Sequence, residues 1–148
     1  MKIHSGLPIA LIGATLIAFV PQVTNARNLA VAPISVQTSA GTTYLNGGIG
    51  KGETEAMRQM AKEFPLRLTF SERKDGEFIA DVPVVISDVK GNSVFELPKA
   101  GPMLYVKLPN GKYKISARFK GVNESRDVTL NGKEGKDIYF HWKGAPQG

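Results

Sequence analysis

From Leu66 to Trp142 apolar side chains return at every second position, in short runs separated by Gly, Asn, Asp and Pro. A period of two places successive side chains on opposite faces of a strand, so such runs build sheets with one face in oil and the other in water. Leu66, Leu68 and Phe70 alternate with Arg67, Thr69 and Ser71. Phe78 to Asp88 is the longest apolar run. Pro83 within it removes a ladder donor, which predicts an edge position or a bulge near Asp81–Pro83. Further strands are expected at Ser93–Leu97, Met103–Leu108, Lys112–Lys120, Glu124–Leu130 and Asp137–Trp142, cut by Lys90-Gly91-Asn92, Asn110-Gly111, Gly121 and Asn131-Gly132. About seven strands at this spacing describe an antiparallel β-sandwich or an open barrel.

Ahead of the strands the period changes. Glu53 and Glu55 suit the positive end of a helix dipole, and Ala56, Met57, Met60, Ala61 and Phe64 recur at helical spacing until Pro65 stops the run. One amphipathic helix is expected over 53–64, with a short strand before it at Thr42–Leu45. Residues 27–41 mix Ala, Ser, Thr, Val and Pro without a sustained period and read as a flexible stalk. Residues 42–148 then form the single folded domain. Residues 1–26 read as a secretory signal peptide: Lys2, an uncharged apolar run Leu7–Val20, then Thr24-Asn25-Ala26 with small residues at a cleavage site. Fourteen apolar residues fall short of the roughly 20 that span a bilayer. A short leader with one basic residue is of the bacterial kind, so the expected location is periplasmic or secreted, with no membrane span after cleavage. The remaining 122 residues carry 18 basic and 13 acidic groups, net +5, and no cysteine. Thiol catalysis, disulfides and thiolate metal sites are excluded.

Asn110-Gly111 is a strong signal for a two-residue type I′ hairpin. Folding there pairs Leu108 with Tyr113, Val106 with Ile115 and Leu104 with Ala117 on an apolar face. The other face then gathers Tyr105, Lys107, Lys114, Arg118 and Lys120, with Lys107 directly opposite Lys114. Like charges facing each other across a ladder are destabilising. An anionic partner would offset that cost, so these five residues are the candidate binding surface. An envelope protein or an acidic glycan is the expected partner. Nucleic acid is not, because base stacking wants more aromatic side chains than Tyr105 alone.

Ala80-Asp81-Val82-Pro83-Val84-Val85-Ile86-Ser87-Asp88 with Gly91-Asn92 resembles the V-x-V-x-D-x-x-G opening of carboxypeptidase regulatory-like domains. Leu108-Pro109-Asn110-Gly111-Lys112-Tyr113-Lys114-Ile115 resembles their L-P-x-G-x-Y-x-V segment, and Gly121 with Val128-Thr129-Leu130 the strand that follows. Tyr44, the Gly47-Gly48-Ile49-Gly50 cluster and the helix also resemble small exported proteobacterial proteins of that kind. The resemblance implies a transthyretin-like (prealbumin-like) β-sandwich and a non-catalytic accessory or binding module. Function at that step is analogy.

A search for reactive groups points the same way. His4 lies in the leader, leaving His141 alone on the last strand, between inward Phe140 and Trp142, and it reads as an exposed surface residue. Hydroxyisourate hydrolases resemble this chain in fold only: their several histidines and closing Tyr-Arg-Gly-Ser are replaced here by one histidine and Trp142-Lys143-Gly144-Ala145-Pro146-Gln147-Gly148. The glycine cluster fits neither G-x-x-x-x-G-K-[ST] nor G-x-G-x-x-G, since Gly52 follows Lys51 and Glu53 stands where a third glycine belongs. Neither a cofactor nor a metal is expected, and the chain reads as a binding module rather than an enzyme. Two rivals stand beside it: a structural subunit of an envelope assembly, and a small hydrolase built from Asp, Ser and His141.

Overall fold

The computed structural model describes residues 34–72 and 76–143, together with Gly6 and Gly13. Apart from those two glycines, the expected leader lies outside the described residues, as does the stalk up to residue 33. The elements run β1 (Gln37–Ser39), β2 (Thr42–Gly47), α1 (Gly50–Met60) with a 3-10 turn at Ala61–Glu63, β3 (Leu66–Glu72), β4 (Glu77–Phe78), β5 (Val82–Asp88), β6 (Ser93–Ala100), β7 (Met103–Val106), β8 (Gly111–Phe119), β9 (Val122–Leu130) and β10 (Lys136–Trp142). They form two sheets. Sheet A has the order β1-β2-β7-β3-β10, with β4 also pairing β3; sheet B has the order β6-β5-β8-β9.

The described residues are mainly β, with ten strands where about seven were expected from Leu66 on and one more at 42–45. Two local causes account for the difference, the new strand β1 and a break in the run 78–88. Gln37–Ser39, inside the stretch expected to be stalk, pairs with Thr42–Tyr44 through a two-residue turn at Ala40-Gly41. Both turn residues have positive φ, 46° and 81°, as a type I′ turn demands. The expected strand at 42–45 extends to Gly47. The long run 78–88 breaks in two, because Asp81 takes φ +57° and redirects the chain between β4 and β5. Pro83 then sits in an interior strand, not an edge one, and the ladder to β6 shifts register between Val82 and Val84. Of the two placements open to that proline, the bulge is the one realised.

Tyr44, Leu66, Leu68, Phe70, Leu104, Val106 and Phe140 point from sheet A into one core shared with Val84, Ile86, Phe95, Ile115, Ala117, Val128 and Leu130 of sheet B. Phe70 stacks on Phe140 at 5.6 Å between ring centroids and on Trp142 at 6.4 Å. A second core lies on the opposite side of sheet A. There Met57 and Phe64 meet Leu45, Met103 and Tyr105, with Met60 and Ala61 at its border. Sheet A is therefore covered on both sides, and all four residues of β7 are buried.

The Asn110-Gly111 hairpin does not form. β7 pairs with β2 and β3 in sheet A, whereas β8 pairs with β5 and β9 in sheet B. The segment between them is a corner that changes sheets, and Tyr113 Oη donates to the carbonyl of Pro109 at 2.7 Å to hold it. The two segments belong to different environments. Met103-Leu104-Tyr105-Val106 is a continuous apolar run suited to burial on both faces, while Lys112 to Lys120 alternates and suits burial on one. The type I′ turn in this part of the chain is Lys120-Gly121, with φ 46° and 81°, and it joins β8 to β9.

Candidate functional site

The five residues expected to share a face are dispersed to three places. Tyr105 lies beneath α1, with its ring 6.1 Å from that of Phe64. Lys107, just past β7, lies over the Phe64 ring, its Nζ 5.3 Å from the centroid. Lys114 and Arg118 stand on the outer face of sheet B. Lys114 is opposite Asp127 on one side and Ser87 on the other; Arg118 is opposite Asn123. Lys120 lies in the β8–β9 turn and pairs with Glu72 Oε1 at 2.8 Å, at the end of the core. Lys107 and Lys114 do not face each other, since Lys107 follows a strand of sheet A and Lys114 lies in sheet B.

What the fold does assemble is a groove on the outer face of sheet A, between α1 and the β3–β4 hairpin. Two adjoining hollows share Arg58 and Phe78. One, of about 280 Å³, reaches down to Thr69, Met103 and Tyr105 and up to Asp137 and Tyr139. The other, of about 660 Å³, runs along the first turns of α1 past Gly48, Lys51, Thr54 and Glu55. Both large aromatic side chains exposed among the described residues stand here: Phe78 at 48% and Tyr139 at 66%. Ile49, 65% exposed, lies at the helix entrance beside the second hollow. Solvated aromatic rings beside a concave wall are the usual signature of a binding surface, because their apolar faces gain most by being covered.

Local chemistry fixes the walls. The helix begins at Ile49, whose N–H donates to Glu53 Oε2 at 3.0 Å, and Thr54 Oγ1 donates to the Gly50 carbonyl at 2.8 Å. Gly48 takes φ +95° against Met103, and a Cβ there would lie 2.8 Å from Met103 Cγ, so the helix can start this close to the sheet only with glycine. At the other end Arg67 acts as a rivet. Its Nη1 donates to the carbonyls of Ala61 and Phe64, while Nε and Nη2 grip Asp137 at 2.7 and 2.9 Å. That two-point contact holds the Asp137 carboxyl below its ordinary range and raises the Arg67 guanidinium. Burial raises the Tyr105 phenol. The groove therefore presents two rings, hydroxyl groups, the cations Arg58 and Lys51, and the carboxylates Glu55 and Asp137, the latter gripped by Arg67.

His141 is half-buried rather than exposed. It lies on the same outer face, and its Nδ1 is 3.0 Å from Ser71 Oγ on the neighbouring strand. Ser71 Oγ also lies 3.4 Å from the Phe140 carbonyl. Among the described residues no group of three His, Cys, Asp or Glu side chains is placed to hold a metal ion.

A third hollow, of about 520 Å³, lies on sheet B between the β5–β6 turn and strands β8 and β9, bordered by Asp88, Lys112, Lys114 and Asp127. Its turn is self-contained. Asp88 Oδ1 accepts from the Lys90 and Asn92 N–H groups at 2.9 and 3.0 Å, and the Asn92 bond leads in holding its carboxyl below the ordinary range. The expected Lys90-Gly91-Asn92 turn thus forms, with Asp88 as its anchor. No family model and no curated protein matches the chain.

Phe78 and Tyr139 are not among the five residues expected to bind a partner. Tyr139 carried a signal, an aromatic residue in the outward phase between Ile138 and Phe140. Phe78 carried none, because the break that exposes it follows from the backbone turn at Asp81.

Proposed function

We propose that this protein is a non-catalytic binding module of the bacterial envelope, and that it holds an acidic glycan in the groove between α1 and β4. One observation carries the reading: Phe78 and Tyr139 stand solvated at a concave wall that also contains Arg58. A sugar ring offers a C–H face to an aromatic plate, and its carboxylate offers an anion to a guanidinium, so the three side chains supply complementary chemistry. Lys51 lies along the same groove with Glu55, and the Asp137 carboxylate is already engaged by Arg67, which leaves Arg58 and Lys51 as the cations open to an anionic sugar. The leader read in residues 1–26 supports an exported protein. The two stacked sheets support the transthyretin-like reading, in which Leu108-Pro109-Asn110-Gly111-Lys112-Tyr113 forms the tyrosine-held corner between them.

Retention of the purified chain on polygalacturonate resin tests the proposal, with neutral agarose as control. Arg58→Glu is expected to abolish retention at low salt, and Phe78→Ala to weaken it about tenfold or more, the loss of one aromatic contact. Wild-type retention in both variants, with both folded by circular dichroism, would rule the groove out. The hydrolase reading has one observation in its favour, the Ser71–His141 contact. Turnover of a carboxylic ester panel that disappears in Ser71→Ala would establish it in place of the binding reading.

A further inference from the structure

Each sheet has two edges, and three of the four are blunted. β1 is three residues long, β6 contains Pro98, and β9 carries Glu124, Arg126 and Asp127. Such devices keep free strand edges from pairing with other chains. β10 has none of its own past Asp137: Ile138-Tyr139-Phe140-His141-Trp142 contains neither proline nor a permanently charged side chain, and β9 reaches it through inward side chains, with Arg126 over the Phe140 ring and Trp142 Nε1 donating to the Val122 carbonyl. Among the described residues it pairs only with β3, in parallel, along its whole length.

The bonding phase of that edge follows from one contact. The Lys136 N–H donates to the Pro65 carbonyl at 2.8 Å. In a parallel ladder alternate residues turn their N–H and C=O toward the same neighbour. Lys136, Ile138, Phe140 and Trp142 therefore face β3, and the backbone groups of Asp137, Tyr139 and His141 face outward.

We propose that β10 joins a second copy of this chain, antiparallel and two-fold symmetric about Tyr139. This register alone puts Tyr139 opposite Tyr139 of the other copy while placing each Asp137 opposite the other copy's His141. The outward backbone groups of residues 137, 139 and 141 then meet as hydrogen-bonded pairs. A shift of two residues per copy either way would set Asp137 against Asp137 or His141 against His141. The contact is self-complementary, as a two-fold interface requires. Both outer faces of sheet A would come to lie on one side of the joined sheet, bringing the two grooves beside Tyr139 onto one surface. The inference stands whatever the groove holds.

The absence of cysteine makes a direct test available. Antiparallel hydrogen-bonded partners lie about 5.5 Å apart at Cα, within disulfide range. Tyr139→Cys is expected to cross-link under mild oxidation at least tenfold faster than Val85→Cys on the exposed face of sheet B. Sedimentation velocity over a concentration series supplies the second readout. His141→Asp, facing Asp137, is expected to weaken association about tenfold, and His141→Lys to preserve it. Equal cross-linking at the two positions, or equal association in the two His141 variants, would overturn the proposal. So would a wild-type chain that stays monomeric throughout the series.

Discussion

The two outer faces of the sandwich are made differently. On sheet B the side chains answer one another: Lys114 stands opposite Asp127, Ser116 Oγ lies 3.1 Å from Ser125 Oγ, and Asp88 closes its own turn. On sheet A a helix covers part of the face, and at its border rings remain in water beside a hollow. The difference shows how a strand-rich fold comes to have an open hollow beside exposed rings. A polar face satisfies itself through cross-strand pairs, whereas a partly covered apolar face leaves an edge where burial is incomplete.

The largest expected effect tests whether the helix is what makes sheet A different. Phe64 is buried between α1 and Tyr105, and Phe64→Ala is expected to cost about 3–5 kcal/mol by removing a buried ring. Ile115→Ala, in the core beneath sheet B, is expected to cost about 2–5 kcal/mol. Urea unfolding measures both. Under conditions where each variant is folded, glycan retention should fall for Phe64→Ala and stay at the wild-type level for Ile115→Ala. Equal retention in the two would detach the groove from the helix.

A smaller effect concerns the rivet. The Asp137 carboxyl has a lowered pKa in the folded protein, so its contribution to stability is present above the unfolded value near 3.8 and is lost as pH falls through the lower folded value. About half of that side chain faces water, 52%, which limits Asp137→Asn to about 1 kcal/mol at neutral pH. The variant should also lose less stability than wild type between pH 5 and pH 2, a window chosen to bracket carboxylate titration. Urea midpoints at pH 7, 4 and 3 measure this. A wild-type acid slope in Asp137→Asn would leave Asp88, lowered by its own turn, as the main carrier on sheet B.

These contrasts mark what was legible in the chain. Alternation located β3, β8, β9 and β10 because each buries one face, and that pattern is written residue by residue. The break at Asp81 and the strand at Gln37–Ser39 were not legible: one depends on a backbone conformation open to few residues, the other on a partner strand. The Asn110-Gly111 reading failed for a related reason. Turn chemistry and hydrophobic phase agreed locally, but Met103 and Tyr105 are apolar in the phase read as outward, and only α1 explains why. None of the five expected site residues lines the open groove except Tyr105, at its floor. A site made where a helix meets a sheet depends on packing that no single run of residues encodes.

The smallest expected effect is on the outer face of sheet B. Lys114→Glu would put a carboxylate opposite Asp127 and should cost a few tenths to about 1 kcal/mol, the range of a cross-strand charge pair. Its effect on retention separates the two faces more sharply than its effect on stability. A net loss of two positive charges acts on any anionic resin at long range, and that part is screened within about 10 Å at 0.1 M salt. At that salt Lys114→Glu should bind as wild type does, while Arg58→Glu, in the groove proposed to hold the glycan, should not. Equal deficits in the two variants at 0.1 M salt would mean that overall charge, rather than the groove, holds the glycan.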